Sequence, residues 1–233
     1  MKLFAGIAIS CSVLLAPGEI IQPEVYLAEG NAMVYDYDDY RGGHTNSVRK
    51  VVMDQVEMKN GSYSIIASLH YVDVSGITVI KWRYEFACDS VNFYALTNNL
   101  LMRQTKLGKL NFEPPAAKGD SLTYPLNMKA GDTLDGGWAK EFGGGANTKP
   151  SVSYVIEPRV VKELDTMTLD IGTIVAYRIE AKGTESGYHG TNPYKQQFDF
   201  TEWFSPQYGI IKQKRDEGKN GYTTYVLKDI PKK

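Results

Sequence analysis

The sequence predicts a mainly β protein built on an antiparallel sheet, and three observations predict it. From Thr78 to Ala87 residues alternate strictly, with Lys81, Arg83 and Glu85 facing one way and Trp82, Tyr84 and Phe86 the other, the period of a half-buried strand. Asn60-Gly61 and Asn220-Gly221 are strong short-range hairpin signals, because both central residues of a type I′ turn need positive φ. Gly (22) and Tyr (16) are abundant, which suits strands joined by tight turns and weakens helix interiors.

Taken in order, the first strands are expected at Glu24–Leu27 and Ala32–Tyr37, ending at the turn Arg41-Gly42-Gly43. Asn46–Met58 and Ser62–Val74 form a long hairpin about Asn60-Gly61, and Thr78–Ala87 follows. From Ala95 to Leu110 the pattern changes: Leu96, Leu100, Leu101 and Leu107 stand at near-helical spacing, which predicts a short helix. Pro114-Pro115 breaks the chain, Leu122–Leu126 resumes it, and the Gly-rich stretch from Asp135 to Pro150 is expected as a long rim loop. Ser151–Thr168 and Gly172–Ala181 make a second long hairpin, in which Arg159 precedes Val160-Val161 much as Arg49 precedes Val51-Val52. In the last part Phe198, Phe200 and Glu202 alternate with opposite-face neighbours, Ser205-Pro206 breaks the run, and three strands read as the closing edge of the sheet. Trp203, Pro206 and Gly209 are expected to determine the fold rather than to do chemistry.

The length of 233 residues suits one large β domain, here residues 19–233, behind a signal peptide at 1–18. Lys2 precedes an apolar run from Leu3 to Ala16, long enough for a secretory signal and too short to span a bilayer. Export to the periplasm is therefore expected. The alternative is lipidation at Cys11, since Ala8-Ile9-Ser10-Cys11 resembles a lipobox, although apolar residues continue past Cys11. With Cys11 removed, Cys88 would be the lone cysteine, without a disulfide partner. A net charge of -1 without a basic stripe excludes nucleic acid as the expected partner.

No catalytic constellation is legible. His44, His70 and His189 stand far apart without a second ligand at metal-binding spacing, so no metal is expected. The run Asp36–Arg41 departs from a calcium loop at Tyr40 and Arg41. Gly143–Lys149 lacks the endings of a phosphate or dinucleotide loop, and Ser47-Val48-Arg49-Lys50 lies in a strand pattern where a nucleophilic serine should open a helix. The expected protein is not an enzyme and has no cofactor.

One set of segments carries a family likeness: Glu29-Gly30 with Tyr35 and Tyr37, Phe86-Ala87-Cys88, Tyr124-Pro125-Leu126 with Gly131-Asp132-Thr133-Leu134, Leu169–Thr173 with Ala176–Ile179, and Trp203–Lys212. In that order they resemble the TapB-like family of exported bacterial proteins of uncharacterised function, itself similar to the half-barrel envelope carriers LolA and LolB. The resemblance implies a sheet curled into an incomplete barrel with at most one or two short helices, plugged by the Leu96–Leu107 segment. It carries no catalytic residues. The expected function is then that of a non-enzymatic cell-envelope binding protein. It would hold a lipid or other apolar small molecule in a trough lined by Trp82, Tyr84, Phe86, Phe198 and Phe200. For each ring the simpler role is core packing. The alternative function is an assembly or adaptor protein with a packed interior and an envelope protein as partner, membrane contact arising only if Cys11 is lipidated.

Overall fold

The computed structural model describes residues 29–59, 62–73, 76–86, 90–94, 103–105, 108–110, 116–119, 122–142, 150–189 and 191–230. They form seventeen strands and one 3-10 turn at Gly218–Asn220. The first nine are β1 (Ala32–Asp39), β2 (Thr45–Lys59), β3 (Ser62–Asp73), β4 (Gly76–Phe86), β5 (Ser90–Tyr94), β6 (Arg103–Thr105), β7 (Gly108–Leu110), β8 (Ala116–Gly119) and β9 (Leu122–Pro125). Then come β10 (Thr133–Leu134), β11 (Gly137–Phe142), β12 (Pro150–Ile156) and β13 (Arg159–Leu169). The last four are β14 (Gly172–His189), β15 (Asn192–Ser205), β16 (Gly209–Asp216) and β17 (Tyr222–Asp229).

Every ladder is antiparallel. β1 lies between β2 and β17. From β2 the order runs outward through β3, β4 and β5 to β9. From β17 it runs through β16 and β15 to β14. The far edge of β14 carries two strands, β13 opposite residues 172–180 and β12 opposite 183–187. β11 and β8 continue from β12, and β10 caps the start of β13. No ladder joins β9 to β10 or β13 among the described residues, so the curled sheet stays open along a seam. The chain itself crosses that seam through residues 126–132.

The hairpins follow the turn chemistry. Lys59 pairs with Ser62, so Asn60-Gly61 is a two-residue connection, and Leu169 pairs with Gly172, whose φ of 123° favours glycine. Asn220-Gly221 instead ends a five-residue connection, because Asp216 pairs with Tyr222. Gly221, at φ 100°, lies so close to the Tyr40 carbonyl that a side chain there would collide with backbone.

The core gathers Met33, Val51, Met53, Val161, Ile174, Ala176, Ile179, Phe204, Ile211 and Leu227 from both arms of the sheet, with Tyr124, Leu126, Met128 and Leu134 from the seam. Ala176 and Tyr177 are buried consecutively, so both faces of β14 are covered there.

Four expectations are corrected. The predicted helix fails where it is described: 103–105 and 108–110 are strands, while 95–102 and 106–107 lie outside the described residues. Spacing of leucines alone does not distinguish a short helix from strands paired elsewhere in the sheet. The C-terminal strands are no closing edge, because β17 is bracketed by β16 and β1. The rim loop contains strand β11, and Glu157-Pro158 divides the expected strand 151–168 into β12 and β13. The expected Leu96–Leu107 plug lies mostly outside the described residues, and among those described Leu126, Met128 and Leu134 join the buried core.

Candidate functional site

In β15 alternate residues Phe198, Phe200, Glu202 and Phe204 are buried while Gln197 and Asp199 are exposed, so one face of the strand lines the interior. That phase carries a carboxylate inward. Pairing sets Glu202 beside Ile179 of β14 and Gln213 of β16. Arg159, the first residue of β13, and Tyr124 of β9 complete a buried group.

Tyr124 Oη lies 2.9 Å from each Glu202 carboxylate oxygen and donates to them. Gln213 Nε2 donates to Oε1 at 3.3 Å, and Arg159 Nη1 is 3.6 Å from Oε2. Arg159 spends its better hydrogen bonds on backbone: Nη2 donates to the Thr123 carbonyl at 2.8 Å and Nε to that of Asp135 at 3.0 Å. Its guanidinium sits 4.5 Å from the Tyr124 ring centroid, and that ring stacks on Phe204 at 4.7 Å. Nη1 makes no hydrogen bond. Burial pushes the Glu202 carboxyl above its ordinary range, against the opposing pull of Arg159, Tyr124 and Gln213.

A second charged group occupies the rim. Arg215 pairs with Glu185 and Glu217, Arg41 with Glu217 and Asp39, and Gln196 and Tyr194 donate to Glu217 and Glu185. Hydrogen bonding from Arg41 holds the Asp39 carboxyl below its usual value. Beside it Arg49 lies 3.9 Å over the Tyr37 ring, which packs against Tyr225 at 4.6 Å.

Of the residues expected to line a trough, Phe198 and Phe200 are buried side by side, ring centroids 6.4 Å apart. Phe198 lies over Gly183, where a Cβ would come within 2.3 Å of the ring, and Arg215 stands 4.1 Å from its centroid. The ladder pairs Trp82 with Ala67, Tyr84 with Ile65 and Phe86 with Tyr63, in register with Met53, Val56 and Met58 of β2. The side chains of Trp82, Tyr84 and Phe86, and the whole of Cys11, Cys88 and the expected signal segment, lie outside the described residues. Trp203 is half-buried, donating from its indole nitrogen to Asp165 at 2.9 Å with Lys212 over its ring.

Two open grooves, of about 260 and 610 Å³, flank the point where β12 and β13 diverge. Lys182, Glu157 and Asp199 line both, so they are polar rather than apolar. Among the described residues no group of acidic, histidine or cysteine side chains is placed to hold a metal. The sequence reading passed over the Tyr124–Arg159–Glu202 group. Its one available signal was the phase of Glu202 with Phe198 and Phe200.

The fold has solved counterparts. A protein described as exported and of YmcC-like fold, from Bacteroides fragilis, is similar with a TM-score of 0.67 and 15% identity, over 88% of this chain and 97% of that one. A protein described as a lipoprotein from Parabacteroides distasonis gives a TM-score of 0.60 and 16% identity, over 88% and 96%. At such identities the likeness is one of fold. No curated protein matches the sequence. The DUF3108-like family model matches residues 28–227, from the start of the described sheet almost to the end of β17, and the chain belongs to the DUF3108-like family.

Proposed function

We propose that this chain is an exported cell-envelope protein, without enzymatic activity, that holds a lipid or other apolar small molecule on the concave face of its curled sheet. The observation that carries the reading is the open sheet itself. Its ladder runs from buried Val51 and Met53 through Leu69 and Ala67 to Ile80 and Trp82, then to Tyr84 and Phe86. An open sheet with one apolar face leaves a trough that must be filled by side chains or by a ligand. The apolar run at Leu3–Ala16 and the exported or lipoprotein descriptions of the two structural neighbours support an envelope location. The finer likeness to TapB-like proteins and to the carriers LolA and LolB belongs to this proposal. So does the choice between a free periplasmic chain and one anchored through Cys11.

Delipidated protein should take up a fluorescent apolar probe with a change in tryptophan emission. Tyr84→Asp should abolish that uptake, and Arg83→Asp should leave it intact. Uptake by neither wild type nor Arg83→Asp would sink the carrier reading. A second reading, an adaptor for an envelope protein, is favoured by one observation: Leu126, Met128 and Leu134 fill the described interior. Co-purification of a stoichiometric protein partner with no bound lipid, read by native mass spectrometry, would select it.

A further inference from the structure

We infer that residues 122–135 form a releasable strap over the trough, latched to the sheet by Tyr124, Arg159 and Glu202. The inference rests on the carrier reading for its purpose but not for its geometry. The strap joins the two free margins of the open sheet: β9 is attached to β5 by four pairs and β10 to β13 by two. Two backbone bonds, Gly131 N to Val161 O and Val161 N to Asp132 O, extend the second attachment. Between these attachments Leu126 and Met128 plunge into the core, with Leu134 just beyond. Lifting the strap would vacate apolar space within the core cluster that Leu126, Met128 and Leu134 share with Val161, Ile179, Phe204 and Ile211.

What makes it a latch is where the buried charges direct their bonds. Arg159 and Glu202 belong to the sheet, yet the shortest contacts of both are with the strap: Thr123 O, Asp135 O, and Tyr124 Oη. Their own contact is longer, 3.6 Å, and Arg159 Nη1 faces it without a hydrogen bond. When the strap departs, the two can close on each other, with Gln213 still donating to Glu202. The charges thus have a partner in both positions, which lowers the cost of opening that an apolar plug alone would set. The incoming ligand must replace Leu126, Met128 and Leu134, so its chemistry is that of a neutral hydrocarbon chain.

Hydrogen–deuterium exchange by mass spectrometry on the full chain, with and without the apolar dye N-phenyl-1-naphthylamine, tests this. Tyr124→Phe keeps the ring on Phe204 and removes the hydroxyl. Exchange over 122–135 should rise about tenfold or more, as loss of a hydrogen bond to a charged group implies, with β14–β17 unchanged. Dye uptake should increase. Arg159→Lys, which keeps the charge and loses the backbone grip, should act alike and serves if Tyr124→Phe does not fold. Gln213→Leu, which touches Glu202 but not the strap, should leave 122–135 protected. Unchanged exchange in both latch variants, or a rise spread evenly over the sheet, overturns the inference. A selective rise without dye uptake upholds the strap and overturns the carrier reading.

Discussion

Two arginine–carboxylate groups on one sheet behave in opposite ways. Arg159 and Glu202 are 0% and 1% exposed, and there burial raises the carboxyl pKa despite the nearby guanidinium. At the rim Arg41 is 39% exposed and its partner Asp39 is 20% exposed, and the hydrogen bonds win over desolvation, lowering the pKa. The chemistry of the partners is the same. Access to water decides whether desolvation or hydrogen bonding prevails, so the rim favours the charged carboxylate and the interior disfavours it.

The sharpest way to break that contrast is Arg159→Met. Leaving a buried carboxylate unpaired should cost about 3–5 kcal/mol in urea denaturation at pH 7. The sign with pH is set by Glu202. Its folded pKa, already raised, rises further without Arg159, so the variant should gain stability as pH falls through it. A variant whose stability falls between pH 7 and pH 5 would show that Glu202 is not the titrating group. Adding Glu202→Gln, which removes the second charge while still accepting from Tyr124, should recover about 2 kcal/mol of the loss. Simple additivity of the two losses would mean that the pair is not coupled.

Next in size is Gly183→Ala. The new methyl would collide with the Phe198 ring, and overpacking of this kind costs about 1–3 kcal/mol. A loss larger than that of Arg41→Ala would show that the rim is held by packing more than by charge. Arg41→Ala itself should cost at most about 1 kcal/mol, as exposed pairs do. Because the Asp39 pKa is lowered, the stability it brings is present above the unfolded value of 3.8 and lost as pH falls below it. The penalty of Arg41→Ala should therefore shrink in acid, as that of Arg159→Met does, although Asp39 itself loses stability there while Glu202 gains it. Thermal melts of both chains at pH 7 and pH 3 read this directly.

The antiparallel class was legible because turn signals and period-two alternation are local. Asn60-Gly61 set a two-residue connection, and the phase of Phe198 and Phe200 placed their face inward. The order of strands was not local. Nothing in Tyr222–Leu227 tells that its neighbour is β1, nearly 190 residues earlier, and so an edge was expected where the sheet is continuous. Strand β11 was missed because its flanking glycines read as loop. Arg159 and Glu202 were missed for another reason: a charge in an alternating pattern usually marks the wet face, and only tertiary contact with Tyr124 reverses that. Trp82, Tyr84 and Phe86 were legible as alternate positions of one strand, because period-two alternation is local.

The placement of β17 between β1 and β16 has a consequence for the order of events during biogenesis. A chain that crosses a membrane N-terminus first presents β1–β3 early, and these can zip locally, as can β13–β16 later. Neither arm can be welded to the other until Tyr222–Asp229 has emerged. Until then β1 and β16 each carry an unpaired edge, the kind of edge that recruits other strands. The last-made strand is the keystone, and the slow, long-range step of folding is reserved for it.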